Sequence, residues 1–297
     1  MFKALQSKTN GIFNYSDYKK PVYKIVYCII LFFLFVAALT AITPPLWLFI
    51  SSFKEASELT SVPYRLFPKV FDIGKIVSVW KMLNFGKYFL NSIIVVLGAV
   101  VCSIVFNGLL AYSFAILKPR GYKFFYGLVL LSYMIPAFSS IVPLFLSIVD
   151  LKLQNTFIPL WLMFGANAFY LMMMKNYFES LPKSIFEAAA MDKCGAFKTF
   201  FLIVLPLSKP IIGVVAIFTM TAAWSDFLLP YLVLQDDNMM TVIVKIYNLK
   251  DTMGSMQGFG PDKLLMVLTI SIIPQILIFS IFQKRITASA YAGAVKE

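Results

Sequence analysis

Long apolar stretches alternate with shorter polar ones along the whole chain. Six of them, near residues 25–50, 89–117, 124–149, 155–174, 208–233 and 264–282, match the ~20 residues a helix needs to cross a bilayer. Irregular backbone cannot face lipid, because its N–H and C=O groups would go unpaired, so each stretch is predicted to be helical. The fold class is therefore all-α: a polytopic membrane protein with six transmembrane helices. It reads as a single transmembrane domain over residues 1–297, with its core at about 89–282. Pro44-Pro45 predicts a kink or an early stop in the first helix. That first stretch is too long for a cleavable signal peptide, and no small-residue cleavage pattern follows it.

The charges fall between the apolar blocks and orient the chain. The segments 1–24, 118–123, 175–209 and the tail together hold 16 basic residues against five acidic ones. The opposite side holds 10 basic and eight acidic residues. By the positive-inside rule both termini and the 175–209 segment are cytoplasmic, in a cell (plasma or inner) membrane protein. The net charge of +12 thus fits topology in a lipid bilayer rather than nucleic-acid binding. Two outer segments, about 52–88 and 235–263, are too polar for membrane and read as connectors or as surfaces for an extracellular partner.

Residues 180–206 form a polar, alanine-rich insertion between two apolar stretches. Leu181-Pro182 ends what precedes it, since proline cannot continue the helical ladder. Ser184 stands three residues before Glu187, a capping-box spacing, which predicts a short helix from Ser184 through Met191. Phe186, Ala189 and Ala190 share one of its faces. Successive alanines keep the helix narrow. Gly195 permits a turn, and Pro206 and Pro210 frame the start of the next span.

Glu187-Ala188-Ala189, followed at the proper distance by Ile203-x-Leu205-Pro206, resembles the EAA loop of ABC-importer permeases. The family places a glycine where this chain has Lys193. The departure puts the sharp turn there in question, and Gly195 is the alternative site for it. Leu90-Asn91-Ser92, Met134-Ile135-Pro136, Asn155-Thr156, Leu181-Pro182, Trp224 through Pro230 and the tail Gly293-Ala294-Val295-Lys296 also resemble the maltose-transporter-type, six-helix permease of carbohydrate importers. The resemblance implies a type I ABC importer permease with a cytoplasmic coupling helix in a loop at about 181–206. It implies a second, related permease subunit, two ATP-binding subunits gripping residues about 183–198, and an extracellular solute-binding protein. It also implies that the chain does no chemistry and holds no cofactor, ATP-Mg being bound by the partner subunits. The ATPase-docking residues carried over are Ser184, Phe186, Glu187, Ala188, Ala189, Met191, Asp192, Lys193 and Gly195. The tail around Ala292–Glu297 is implied to touch the ATPase as well. Read from the residues alone, Glu187 simply caps its own helix.

Ionisable and polar groups inside spans are functional candidates. Asp226, near the outer end of the fifth span, reads either as a partly solvated helix end or as a gate residue facing the pore. Asn107, Tyr112, Asn167, Tyr170 and Trp224 are further pore or substrate candidates, with Thr221 and Gln275 also polar at depth. Aromatic faces cover the C–H surface of a sugar ring while amides bond its hydroxyls. The same residue types also hydrogen-bond between helices.

Several chemistries lack their residues. There is no histidine, which removes the usual general base and commonest metal ligand. Cys28, Cys102 and Cys194 are too far apart for a short metal-binding spacing. No phosphate-cradling G-x-x-x-x-G-K-[ST] run occurs, so ATP has to be bound elsewhere. The alternative class is an ion-coupled secondary transporter of a small polar solute, which usually carries paired discontinuous helices and several buried ionisable groups. A membrane scaffold without transport is a third.

Overall fold

The computed structural model describes residues 21–251 and 258–294, and all of its regular structure there is helical. The end of the tail, at 295–297, for which an ATPase contact is expected, lies outside the described residues. The chain divides into two compact units, Met1–Asp72 and Ile73–Glu297.

The first unit is built on α1 (Pro21–Ser52), which carries Pro44 and Pro45 inside it and runs on to Ser52. The early stop expected at the prolines does not occur. Its mid-section is exposed on every side and apolar, as at Phe32, Phe33, Leu34 and Phe35. Beyond it the chain folds back on Lys54, whose side chain is fully buried. The Lys54 ammonium donates to the Tyr64 hydroxyl at 3.0 Å and to the Arg65 carbonyl at 2.6 Å, and Trp47 Nε1–H donates to the same hydroxyl at 2.9 Å. A buried charge is costly unless it is bonded in this way.

The second unit is organised around α3 (Phe85–Leu117), preceded by the short α2 (Gly74–Met82). Two π-turns, Ser103–Asn107 and Ser113–Leu117, interrupt α3 without breaking it. Next come α4 (Tyr122–Met134), α5 (Ile141–Asp150), α6 (Ile158–Gly165) and α7 (Ala168–Glu179). The loop after α7 holds α8 (Lys183–Met191) and α9 (Ala196–Leu207). They lead into α10 (Lys209–Ser225), α11 (Leu228–Val233), α12 (Val242–Asp251) and α13 (Pro261–Ala294). α6 and α10 pack along α3, and α13 packs along α10, where Trp224 Nε1–H donates to the Ser271 carbonyl at 3.1 Å. Gly98 lets Trp161 lie against the α3 backbone: a Cβ there would meet the indole nitrogen at 2.2 Å.

Among the described residues three helices are each long and apolar enough to cross a membrane, and a fourth if the bent pair α9–α10 counts as one span. The stretches 124–149 and 155–174 are not single helices. The first breaks at Ile135-Pro136, where the residue before proline is forced into extended backbone (φ −77°, ψ 124°). The second breaks between Gly165 and Ala168, where Asn167 is extended and its Oδ1 accepts from Tyr170 N–H at 3.1 Å. Between α9 and α10 the path turns by 85° at Ser208. Pro206 and Pro210 flank that turn and withhold the N–H groups that would have continued the helix.

Candidate functional site

The loop after α7 leads to Pro182, which occupies the N-cap position of α8 in extended backbone and makes no side-chain cap. Its ring fixes φ for a helix start, so α8 begins at Lys183 and Ser184 falls within the first turn. The expected capping box is therefore not formed. α8 is moored by Ala189, 5% exposed, and by half-buried Phe186, which packs on the core cluster of Ala111, Phe114 and Phe178. Ala190, expected on this face, is exposed instead. Ser184, Glu187, Ala188 and Met191 are exposed at i, i+3, i+4 and i+7, a single outward stripe. Met191 is 79% exposed, an unusual state for a large apolar side chain at the end of a helix.

The helix closes with a Schellman motif. Lys193 N–H donates to the Ala190 carbonyl at 3.0 Å and Cys194 N–H to the Ala189 carbonyl at 2.9 Å, after Asp192 at the C-cap. Lys193 adopts the left-handed conformation (φ 53°), while Gly195 is extended (φ −65°, ψ 157°). The sharp turn therefore stays at the lysine and does not move to the glycine. A non-glycine residue pays roughly 1–2 kcal/mol there, which the two capping bonds offset.

α9 then packs back onto the membrane-facing body. Phe200 and Val204 are fully buried, and the Phe200 ring lies 5.7 Å from that of Tyr112 on α3. Gly108 makes room for it, since a Cβ there would sit 3.1 Å from Phe200 and 3.2 Å from Met174. Phe197, one turn earlier, is 70% exposed and borders an apolar cleft lined by Leu109, Tyr112, Leu117 and Ala196. Phe197 lies within the stretch of about 183–198 that the resemblance assigns to ATPase contact, although it is not among the individual docking residues carried over.

At depth, the polar candidates are engaged within the chain. Asn107, 2% exposed, donates to the Ser103 and Phe164 carbonyls at 2.9 Å each and accepts from Asn167 N–H at 2.9 Å. It thus satisfies the backbone groups freed by the α6–α7 break. Ser103 accepts from the Thr219 hydroxyl on α10 at 3.1 Å, so three helical segments meet in one buried network. Tyr112, Tyr170 and Trp224 are 4%, 6% and 5% exposed and sit in packed clusters. Asp226 is half-buried at the C-cap of α10, with the N–H groups of Phe227, Leu228 and Leu229 directed at its carboxylate. It terminates one helix and starts the next. Thr221 is exposed, its hydroxyl bonded to the Ile217 carbonyl, and Gln275 is half-buried.

The opposite end of α3 carries a hydrogen-bonded clasp. Asn91 Nδ2 donates to the carbonyls of Asn238 and Met240 at 2.9 Å each, and Ser92 Oγ accepts from Val242 N–H at 2.9 Å, at the start of α12. Asn155, itself left-handed (φ 52°), accepts from the N–H groups of Gln235 and Asp236 at 2.7 and 2.8 Å. Tyr88 donates to Asp237 at 2.6 Å, and Lys245 pairs with the same carboxylate at 2.5 Å. Burial works to raise the Asp237 carboxyl, but these two partners outweigh it and hold it below the usual carboxylate range.

Residues 104–289 match the family described as binding-protein-dependent transport system inner membrane component. The chain is 32% identical over 261 residues to the diacetylchitobiose uptake system permease protein NgcG of Streptomyces coelicolor, covering 86% of this chain and 84% of that one. It is 28% identical to the arabinooligosaccharides transport system permease protein AraQ of Bacillus subtilis, over 93% of this chain and 98% of that one. Its fold matches a crystal structure of a bacterial ABC transporter involved in the import of the acidic polysaccharide alginate. The TM-score is 0.76 at 24% identity, over 93% of this chain and 99% of that one.

Proposed function

Because the chain belongs to the family of binding-protein-dependent transport system inner membrane components, we propose that it is one of two transmembrane subunits of an ATP-driven oligosaccharide importer. Membership itself makes it a membrane-embedded ABC transport component and not an enzyme, working with an ATPase and a solute-binding protein. The finer reading is a heteromeric complex. This chain pairs with a second, related permease around a shared pore, with two ATP-binding subunits below and the binding protein at the outer face. ATP and Mg are held by the ATPase subunits, and both termini of this chain are cytoplasmic.

The outward stripe of α8 carries the docking assignment. A short helix that is moored on one face and presents Glu187, Ala188 and nearly free Met191 on the other suits a groove in a partner. Displacing it pushes directly on α3 and α7 through Phe186, and on α10 through the α9 bend. ATP that binds the closed ATPase dimer better than the open one biases the pore between its two states through this lever. The oligosaccharide class rests on the relatives' printed substrates, diacetylchitobiose and arabinooligosaccharides. Purified complex in proteoliposomes, supplied with binding protein, tests the reading. Saccharide uptake should require ATP and persist without an ion gradient. Uptake by this chain alone on a sodium or proton gradient would instead establish the ion-coupled alternative.

A further inference from the structure

We infer that the turn at 118–123 and the outward face of α4 form a binding site for one anionic phospholipid, an inference that needs only a membrane-embedded chain and does not rest on the cargo. The two faces of α4 differ. Tyr122, Tyr126 and Val129, at i, i+4 and i+7, pack on the core cluster of Ala111, Phe114 and Phe178. Phe124, Leu128 and Leu131 have the same spacing on the opposite side and are 66%, 46% and 59% exposed. No charged residue occurs from Phe124 to Met134, so this face belongs to hydrocarbon rather than water. A shallow groove of about 430 Å³ runs along it from Lys123 past Gly127 to Met134.

Gly127 is the notch in that groove, and no side chain of its own chain uses it. Gly98 and Gly108 make room for Trp161 and Phe200, but a Cβ at Gly127 would meet nothing within 4 Å beyond its own helix backbone. A glycine inside a helix is destabilising relative to alanine, so a notch that serves no packing within the chain points to an occupant from outside it. Helix-on-helix packing in membranes uses small residues spaced four apart. Here Lys123 and Leu131 flank Gly127 at i−4 and i+4, which keeps a second helix backbone away and leaves room for a thin, flexible chain. From Lys123 to Met134 the groove spans about 16 Å, half of the ~30 Å hydrocarbon core and so the depth of one leaflet.

The head of the groove selects an anion. Lys118, Arg120 and Lys123 are all exposed. Two left-handed residues, Lys118 (φ 45°) and Gly121 (φ 83°), shape the turn that carries them, and Tyr122 N–H closes it on the Pro119 carbonyl at 3.0 Å. None of the three cations pairs with a carboxylate among the described residues. The sequence has no acidic residue between Asp72 and Asp150. On α7, which packs against α4, Glu179 is taken by Lys175 at 2.9 Å. Three cations at the head of an apolar groove match an amphiphile with a negative headgroup, and each basic group at a membrane surface adds to that attraction. Free phosphate would use the head alone, and a soluble protein could not follow the groove into the bilayer.

The test measures lipid retained by the delipidated, detergent-solubilised complex after incubation with dioleoylphosphatidylglycerol or dioleoylphosphatidylcholine, read by native mass spectrometry. The wild-type complex should favour phosphatidylglycerol by about tenfold or more. Lys118→Gln, Arg120→Gln and Lys123→Gln together should abolish that preference, while Lys118→Arg with Lys123→Arg keeps it. Gly127→Leu should lower phosphatidylglycerol binding by about threefold or more with every charge in place, and the partner permease should still co-purify. Equal binding of the two lipids by the wild type overturns the site. So does an unchanged preference in the Gln variant, a preference lost equally in the Arg pair, or unchanged binding by Gly127→Leu. Displacement of the lipid by inorganic phosphate at constant ionic strength would make this a site for a small anion, and loss of the partner permease in Gly127→Leu would make the groove a subunit contact. Either result overturns the proposal too.

Discussion

Two ends of the second unit, one at α8 and one at the start of α12, hang on the same helix, α3, yet different forces hold them. At the α8 end Phe186 packs on an apolar cluster that includes Phe200 and Val204, with Gly108 giving room for close approach. At the α12 end Tyr88, Asn91 and Ser92 grip the 237–242 segment through directional hydrogen bonds. Apolar packing is non-directional and tolerates small rotations. Hydrogen bonds weaken steeply when misaligned. One end therefore tolerates small rotations, while the other is held to one geometry.

The comparison breaks most readily at α8. Glu187→Lys combined with Ala188→Trp places charge reversal and bulk on the outward stripe without touching Phe186 or Ala189. ATPase co-purification and uptake should both fall by about tenfold or more, while the chain still inserts and α8 remains packed. Equal recovery of the ATPase would show that the stripe is not the contact. Next in size is Asn107→Ala in the buried network between the two ends. It orphans Asn167 N–H and the Phe164 carbonyl, and should cost about 1–3 kcal/mol, read as a lower Tm in detergent. An unchanged Tm would mean that the α6–α7 break does not depend on Asn107.

These two sites also mark how far the sequence could be read. The spans at 25–50, 89–117 and 264–282 stand as continuous helices, because unbroken apolar runs in a membrane leave no other backbone structure. The breaks near Pro136 and Asn167 were hidden because hydropathy does not register where backbone bonds end. The second break has no proline or glycine cluster at its centre, and depends on Asn107, about sixty residues earlier, for its partners. Asn91 and Asn155 were legible as motif pieces, but their bonding to 233–242 needed the fold. The 180–206 loop was legible as a short helix ending at Met191, while its turn was open between Lys193 and Gly195 until the backbone placed it at the lysine. The start of that helix was not legible, because Pro182 set it one residue before Ser184. Asn107, Tyr112, Tyr170 and Trp224 looked like pore residues because polarity at depth is all a sequence displays. Their burial in packed contacts is a property of three-dimensional neighbours.

Smaller effects sharpen the contrast. Lys193→Gly should relieve the left-handed turn and raise stability by up to about 1 kcal/mol, with docking kept, as differential scanning would detect. A loss of stability would mean that the lysine side chain contributes more than its backbone costs. The smallest expected effect concerns pH at the clasp. Because the folded-state Asp237 carboxyl lies below its ordinary range, its contribution is present above the unfolded value and is lost as pH falls through the folded one. Hydrogen-exchange protection factors over 235–245, taken relative to the intrinsic exchange rate at each pH, should therefore fall on acidification in the native chain and lose much of that dependence in Asp237→Asn. Identical pH profiles would remove the charge pair from the account.

The most direct measurement of the inner lever is accessibility at Met191. In a chain with Cys28, Cys102 and Cys194 replaced by serine, Met191→Cys should react with a membrane-impermeant maleimide in inside-out vesicles stripped of ATPase, and become shielded when ATPase is added back. Labelling from the outside of intact cells, or reaction that ATPase does not slow, would contradict it.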